Sequence, residues 1–284
     1  MSIRFSKVAT ATAQPVGAGC TIAQFWHDAF EGAAMSPFVM VDHFHMWQPT
    51  FDVHPHAGMS AVTLVFEDTK GSMVSRDSIG NNATFGAGDL HWTLAGRGML
   101  HTQLPVESAH IHALQIFVNL PASLKQLPPD SFHIARDRMP IIETEEGTRV
   151  RVVAGDFQGR SLPIRAPRPI LILDVQLEKP GASIEVPLPG EWNAWVHVVQ
   201  GSVVVDGSTE LQPDQALCAS ADSSGGIIGL RASERAHCVV LAAERIDEPV
   251  ISNGPFVFES EAALDAAVRD LRAGKFGSVA SPSI

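Results

Sequence analysis

Cysteine is scarce in this sequence. Only three occur in 284 residues, Cys20, Cys218 and Cys238, far apart and without a C-x-x-C spacing. This pattern argues against a disulfide framework and against a thiolate zinc site. No apolar run approaches the roughly 18 residues that span a bilayer, and the N-terminal segment lacks the apolar stretch of a secretory signal. We therefore expect a cytoplasmic protein.

Basic residues are also few. The sequence has 20 Lys and Arg against 31 Asp and Glu, a formal net charge of −11. Such a surface repels nucleic acid and anionic membranes, so neither is an expected partner, whereas a protein with a basic patch remains compatible. No phosphate-binding glycine loop and no Ser/His/Asp arrangement stands out, so we assign no catalytic nucleophile.

Short strand-like segments make up most of the chain. Runs such as SAVTLVFE and RPILILDVQLE are separated by Gly, Pro, Asn and Asp, a pattern typical of an all-β sandwich or barrel. The tail ESEAALDAAVRDLRAGKFG differs, because its apolar residues recur at helical spacing. It predicts a helix at about 260–273, capped by Ser260 and ended by Gly274.

Two parts of the chain resemble each other weakly. DVHPHAGMSAVTLVF (52–66) aligns without gaps with EVPLPGEWNAWVHVV (185–199), and both lead into strand-like sequence. Similarity that keeps its order along the chain indicates an ancient duplication. We therefore predict two β-barrel halves, roughly 1–130 and 150–250, joined by the stretch around PPDSFHIARDRMP.

The histidines are concentrated in the first half. They include three H-x-H pairs: His43 and His45, His54 and His56, His110 and His112. Residues i and i+2 of a strand point to the same side, so both imidazoles of a pair can point into the same cavity. The same spacing separates His101 from Gln103. Imidazole-rich sites suit Fe, Ni, Cu or Zn, but for any single pair a satisfied polar or core role is the better explanation of the spacing.

Five segments together resemble the signatures of the pirin family, a group of bicupins. They are PFVMVDHFHMWQP, HPHAGM, DLHWTLAGRGMLHTQLP, HALQIFVNLP and EPVISNGPFVF, in the family's order between about residues 37 and 275. The resemblance implies an all-β bicupin, with two β-barrel (jelly-roll) cupin domains and a C-terminal α-helix. It implies a metal-binding domain at 1–135 and a second cupin domain without metal ligands at 136–284.

The resemblance also implies one divalent metal in the first domain. We expect Fe(II), with Zn, Ni, Mn, Co and Cu as alternatives. The family's ligand pattern falls on His54, His56, His101 and position 103. Family members with quercetin 2,3-dioxygenase-type activity usually carry Glu at that last position, whereas this chain has Gln103. A glutamine binds a cation more weakly than a carboxylate and is no general base, so another base would be needed. Water, a metal-bound hydroxide or a nearby carboxylate such as Asp42 could serve, and the sequence does not choose among them.

Two functions follow as hypotheses from this resemblance. The first is a metal-dependent dioxygenase acting on a flavonol-like or small aromatic substrate, with Phe51, Met59 and Trp92 lining the substrate cavity. Packing in the core is the alternative role of these three side chains. The second hypothesis is a metal-dependent regulatory protein that binds a protein partner and has no enzymatic activity. Gln103 favours the second, as does Ser60, which stands where the family often has another Glu.

Overall fold

The computed structural model describes residues 2–280, and this part of the chain is almost entirely strands and turns. It contains 26 strands, three single-turn 3-10 segments and one α-helix. No helix in the described part is long and apolar enough to cross a membrane. The all-β class with a C-terminal helix is therefore confirmed.

The strands of the first half are β1 Ile3–Phe5, β2 Ala9–Thr10, β3 Gln14–Val16, β4 Cys20–Trp26, β5 Phe38–Met46, β6 His54–His56, β7 Met59–Val65, β8 Ser72–Asp77, β9 Asn82–Gly86, β10 Leu90–Leu94, β11 Met99–Pro105, β12 Ile111–Asn119 and β13 Asp130–Ile134. The later elements are β14 Ile141–Glu143, β15 Thr148–Phe157, β16 Arg160–Leu162, β17 Ile170–Leu177, β18 Ser183–Leu188, β19 Trp192–Gln200, β20 Val203–Val205, β21 Thr209–Leu211, β22 Gln215–Ala221, β23 Gly226–Ala232, β24 Ala236–Glu244, β25 Ile251–Asn253, β26 Phe256–Phe258 and the helix α1 Glu261–Arg272. The 3-10 segments are His27–Ala29, Ala122–Leu124 and Arg136–Arg138.

The chain forms two compact units, and each unit is assembled from three separate segments of the chain. The histidine unit comprises Ala13–Gln24, Phe38–Arg136 and the described part of Ile246–Ile284. The second unit comprises the described part of Met1–Thr12, Phe25–Pro37 and Asp137–Arg245. This division differs from a single boundary after residue 135. The physical reason is that β1 and β2 pair with β22, while the backbone around β26 bonds to Ala57, next to β6.

Both units repeat one arrangement of eight strands. In the histidine unit, neighbouring strands follow the orders β10-β7-β12-β5 and β6-β11-β8-β9 in two sheets. In the second unit, the orders are β22-β19-β24-β17 and β18-β23-β20-β21. Each strand of the second series stands twelve places after its counterpart in the first. This regular offset supports the duplication inferred from the weak internal similarity.

Apolar side chains fill the space between the two sheets of each unit. In the histidine unit, Phe44 and Val65 from the larger sheet pack with Met73 and Phe85 from the smaller one. In the second unit, a larger cluster of Val, Leu, Ile and Ala residues does the same. At about 25 cal/mol per Å² of buried apolar surface, these cores are the main source of stability.

The C-terminal helix lies where the sequence predicts it. The Ser260 hydroxyl accepts a hydrogen bond from the backbone N–H of Ala263 at 3.3 Å and so caps the first turn. Gly274 follows the helix with a positive φ of 73°, which favours glycine. Leu264 packs against the aromatic residues of β26, so the helix closes an apolar cluster of the histidine unit.

The stretch PPDSFHIARDRMP is not a simple linker. Its residues 130–134 form β13, which pairs antiparallel with β10 and becomes the edge of the seven-stranded sheet. An edge strand pairs on one side only, so it tolerates proline and charged residues. The stretch therefore joins the two halves and also contributes an edge strand to the histidine unit.

Candidate metal centre

Two antiparallel strands bring three histidines together. His54 and His56 lie at i and i+2 in β6, and β6 pairs with β11 so that His54 is directly opposite His101. Pro55, between the two histidines, faces Leu100. Side chains on one face of a strand pair lie about 4.5–5.5 Å apart at Cβ. The H-P-H spacing and this register therefore place all three imidazoles on the same face.

The three rings converge. Their centroids are separated by 4.9 Å for His54 and His56, and by 4.6 Å for each of these rings from His101. One ligand nitrogen from each ring lies within 4.8 Å of the other two. The Nε2 atoms of His54 and His101 are 3.1 Å apart. Two imidazole nitrogens bound to one metal at 2.0–2.1 Å would be about 2.9–3.4 Å apart, so little movement is required.

Hydrogen bonding and burial prepare these rings to act as neutral ligands. His54 donates Nδ1–H to the carbonyl of Asp52 at 2.8 Å, which leaves the Nε2 lone pair available. Burial lowers the pKa of His54, and it lowers the pKa values of His56 and His101 well below the ordinary value. Neighbouring imidazoles lower the latter two further. Metal binding requires unprotonated imidazole, and these shifts favour that form.

The site has polar atoms that the described residues do not satisfy. Nδ1 of His56 and Nδ1 of His101 are buried and have no hydrogen-bond partner among residues 2–280. Buried ring nitrogens normally find a partner, so these two atoms leave the hydrogen bonding of the histidine cluster incomplete among the described residues. Three neutral imidazoles and no thiolate form a donor set for a divalent transition metal. The residues present therefore fit the metal that the sequence resemblance implies.

The imidazoles open into a small, mainly apolar cavity of the histidine unit. Its volume is about 120 Å³. Its polar lining comprises His54, His56, His101, Asp42, Gln103 and Gln115. The remaining walls are apolar and include Phe44, Phe51 and Phe117. Phe51 is 36% exposed, so it lies where the cavity meets solvent.

Asp42 is the one carboxyl group among the described residues that line this cavity. It lies on β5, and its side chain accepts a hydrogen bond from Nε2 of Gln24 at 2.8 Å. Burial raises the pKa of Asp42 to about 7, and the Gln24 hydrogen bond opposes that effect. A carboxyl group with such a pKa can take up or release a proton near neutrality.

The sequence-predicted residues separate into two groups. His54, His56, His101, Gln103 and Phe51 line the cavity together.

Met59 and Trp92 do not line the cavity, and this corrects their assignment to the substrate site. Both are buried, and the Trp92 ring stacks on Phe132 with centroids 5.9 Å apart. For Trp92 the reason is strand alternation. Trp92 is opposite Val62 in β7, whereas the neighbouring Thr63 points to the cavity side, where it bonds Gln103. Both side chains fill the core.

Residues from β5 and β12 complete the cavity, and the sequence-based prediction missed most of them. Phe44 and Gln115 belong to this group, and so does Phe117, whose ring packs edge-on against His56 at 5.3 Å. Period-two alternation in FVMVDHFHM and IHALQIFVN was the available signal. This alternation distinguishes the two faces of each strand, but it does not show which face is directed at the histidines.

A buried lysine holds the segment after H-P-H in place. Nζ of Lys125 donates to the carbonyls of Gly58 and Val257, both at 2.9 Å, and to Oδ1 of Asn119 at 2.6 Å. Gly58 has a φ of 76°, and a Cβ there would lie 2.0 Å from the Val257 carbonyl oxygen. Glycine at this position therefore allows the turn that carries His56 into β7.

Comparison with known proteins identifies the family. The pirin family model matches residues 21–118, and the model of the pirin C-terminal cupin domain matches residues 172–277. Pirin-like protein 2 of Arabidopsis thaliana is 32% identical over 254 residues, which cover 87% of this chain and 77% of that protein. The chain belongs to the pirin family. The two repeated units are thus the two cupin domains of a bicupin, as the resemblance implies.

Solved structures agree with this family fold. A quercetin 2,3-dioxygenase from Acinetobacter baumannii has a TM-score of 0.85 and 27% identity to this chain, covering 98% of it and 99% of that protein. The bacterial pirin YhhW from Escherichia coli, solved in complex with nickel(II), has a TM-score of 0.65 and 18% identity. That likeness covers 86% of this chain and 100% of YhhW, and it concerns the fold alone.

Proposed function

We propose that this pirin-family protein is a metal-dependent dioxygenase that acts on a small aromatic substrate carrying adjacent hydroxyl and carbonyl oxygens. The observation that most directly supports this proposal is the convergence of three neutral, buried imidazoles on an apolar cavity that also contains one carboxyl group. Its fold neighbour from Acinetobacter baumannii, a quercetin 2,3-dioxygenase, supports the reaction class.

His54, His56 and His101 would hold the metal, and the amide oxygen of Gln103 is the candidate fourth ligand. We expect Fe(II), and Ni(II) is the first alternative because the pirin YhhW was solved with that ion. When bound, the metal supplies Lewis acidity and an electron path between dioxygen and substrate. The His54 hydrogen bond to the Asp52 carbonyl fixes which nitrogen of that ring faces the ion.

Asp42 would accept the proton of the substrate hydroxyl. It is needed because Gln103 has no basic oxygen at neutral pH. The Gln24 side chain orients the Asp42 carboxyl group through the 2.8 Å hydrogen bond. The apolar walls around Phe44 and Phe117 exclude water and so strengthen polar interactions within the cavity.

The cavity favours a substrate that places one ring beside the imidazoles. Its volume of about 120 Å³ is comparable to the roughly 150 Å³ cavity known to hold benzene, and it opens to solvent beside Phe51. A flavonol has three rings, and its other two rings would have to extend through that opening. A single-ring 3-hydroxy-4-pyranone keeps the adjacent oxygens of a flavonol without its other two rings.

The test is an aerobic assay with quercetin and a 3-hydroxy-4-pyranone, using protein loaded separately with Fe, Ni, Mn, Co or Cu. We expect oxygen consumption with the pyranone and slower or absent turnover of quercetin. Asp42→Asn should abolish turnover while keeping bound metal, because the amide preserves shape but accepts no proton. A protein that retains metal but consumes no oxygen with any substrate or metal would contradict the dioxygenase proposal and leave the regulatory hypothesis.

A further inference from the structure

A second group of histidines lies on β5 and β12, away from the cavity. His43 and His45 are at i and i+2 in β5, and His45 is directly opposite His112 in β12. The alternate residues of β5, Asp42 and Phe44, line the cavity. Since neighbouring side chains of a strand point to opposite faces, this second cluster lies on the outer face of the sheet.

The ring nitrogens of this outer cluster are close together. The Nε2 atoms of His43 and His112 are 2.7 Å apart, and the rings of His45 and His112 stack with centroids 4.1 Å apart. One nitrogen from each of the three rings lies within 4.8 Å of the others. At 2.7 Å the two nitrogens of His43 and His112 share one ring proton in a hydrogen bond, and an ion bound to both lone pairs would replace that proton.

A carboxylate orients one of these rings as it would in a metal site. Nδ1 of His112 donates to the Asp68 carboxylate, with contacts of 2.8 and 2.9 Å to its two oxygens. This contact places the ring proton on Nδ1 and leaves the Nε2 lone pair directed at His43. Carboxylate–histidine–metal arrangements use the same hydrogen bond to fix the tautomer and raise the basicity of the ligand.

The exposure of the cluster suits an ion taken from solvent. His45 is exposed, His112 is half-buried and His43 is buried. A shallow surface pocket beside them contains Asp68, Lys70 and His110. Lys70 adds positive charge there and Asp68 offsets it. An ion held by three rings would keep one coordination position open to water in this pocket.

We propose that His43, His45 and His112 form a second divalent transition-metal site, with Asp68 as the positioning residue for His112. Three neutral imidazoles and an open position match Zn²⁺ and its neighbours in the transition series. Metal–nitrogen bonds of 2.0–2.1 Å require the His43 and His112 nitrogens to separate by about half an ångström. The His45 ring lies within 17° of the plane of His112, so it must turn out of this stack to aim its in-plane lone pair at the ion, and its exposure leaves room for that rotation. This site uses none of the ligands of the inner centre.

The test compares zinc stoichiometry in the wild-type protein, His56→Ala, His112→Asn and the double variant. Each protein is stripped with chelator and then titrated with Zn²⁺ against a chromogenic indicator. We expect about two equivalents in the wild type, about one in each single variant and none in the double variant. Co²⁺ absorption near 600 nm gives a second readout of coordination. Circular dichroism and thermal melting show whether each variant is folded.

Three further variants separate ligation from packing. His45→Asn changes an exposed residue and should lose one equivalent without loss of fold. His110→Asn lies in the same pocket but outside the cluster, so it should bind as the wild type does. Asp68→Asn should weaken the outer site by about 10- to 100-fold. The proposal fails if folded His56→Ala binds no more zinc than the double variant. If the outer site binds zinc and the inner centre does not, the wild type and His56→Ala bind one equivalent each.

Discussion

The hydroxyl of Thr63 lies 2.8 Å from the side-chain oxygen of Gln103, and the same hydroxyl is 3.0 Å from the side-chain oxygen of Gln115. One hydroxyl proton serves only one of these two oxygens. The Nε2 group of Gln103 meanwhile has no partner among the described residues. Rotating the Gln103 amide by half a turn would let Nε2 donate to Thr63 and free its oxygen for a metal ion.

Restoring the acid at this position should strengthen metal binding. Gln103→Glu places a carboxylate where it can still accept the Thr63 hydrogen bond, and it adds a negative charge beside the ion. We expect metal affinity to rise by roughly tenfold or more, and any dioxygenase rate to rise with it. Competition with a chelator of known affinity measures the first effect, and oxygen uptake measures the second.

Gln103→Met is the matched control, because it keeps approximate volume and removes both polar groups of the amide. It should bind metal no more tightly than the wild type. A Gln103→Glu protein with unchanged affinity and unchanged rate would show that position 103 does not contact the ion.

Loss of one inner imidazole should remove the inner metal. His56→Ala leaves two imidazoles and a cavity, and we expect Fe(II) affinity to fall by about two orders of magnitude or more. Elemental analysis after gel filtration provides the measurement. His91→Leu is the control: His91 is another buried histidine, stacked on Phe85 at 4.7 Å, but it lies outside the cluster. Equal metal loss in both variants would argue for a folding defect.

Sequence spacing and the pirin resemblance together pointed to three histidines that the fold brings together, whereas they identified few of the cavity walls. The H-P-H pair and its resemblance to the pirin signature pointed to His54 and His56. The register that puts His101 opposite His54 arises from pairing between distant segments, so it becomes visible only in the folded sheet. Trp92 was misassigned because strand propensity does not reveal which face meets the cavity.

The outer cluster shows the same limit. Its members come from two H-x-H pairs, and each pair on its own is compatible with a polar role in the core. Only the antiparallel pairing of β5 and β12 brings His43 and His45 to His112 and leaves His110 outside. Short motifs are visible in sequence, whereas their combination depends on tertiary structure.

The buried lysine should be essential for stability around the H-P-H strand. Lys125→Met removes the donor for three oxygens, of Gly58, Asn119 and Val257. Burial lowers the pKa of Lys125 to about 8, so relief of its desolvation offsets part of the loss. We expect a net destabilisation of about 2–4 kcal/mol in denaturant unfolding, together with weaker metal binding. A variant as stable as the wild type would show that these contacts contribute little.

A buried ion pair in the second unit should make stability depend on acid pH. Burial alone raises the pKa of Asp174, but His237 and Arg151 outweigh it and hold the pKa below its ordinary value. Asp174 is therefore charged in the folded state at pH values where the unfolded chain begins to bind a proton. Its contribution is present above about pH 4 and is lost as pH falls below that value.

Asp174→Asn should accordingly cost about 3–5 kcal/mol at pH 7, because it leaves the buried Arg151 without its charge partner. The difference from the wild type should shrink as pH falls below 4. Urea unfolding at several pH values gives the comparison, and metal binding at the inner centre, which belongs to the histidine unit, should be unchanged. A difference that stays constant down to pH 3 would contradict the assigned pKa direction.

The central claim is that one divalent metal is held by the imidazoles of residues 54, 56 and 101. X-ray diffraction measured above and below the iron absorption edge, from crystals grown without chelator and soaked in ferrous salt, tests it directly. We predict an anomalous difference peak within about 2.0–2.3 Å of one nitrogen from each ring. A map with ordered rings and no peak among them would contradict the account.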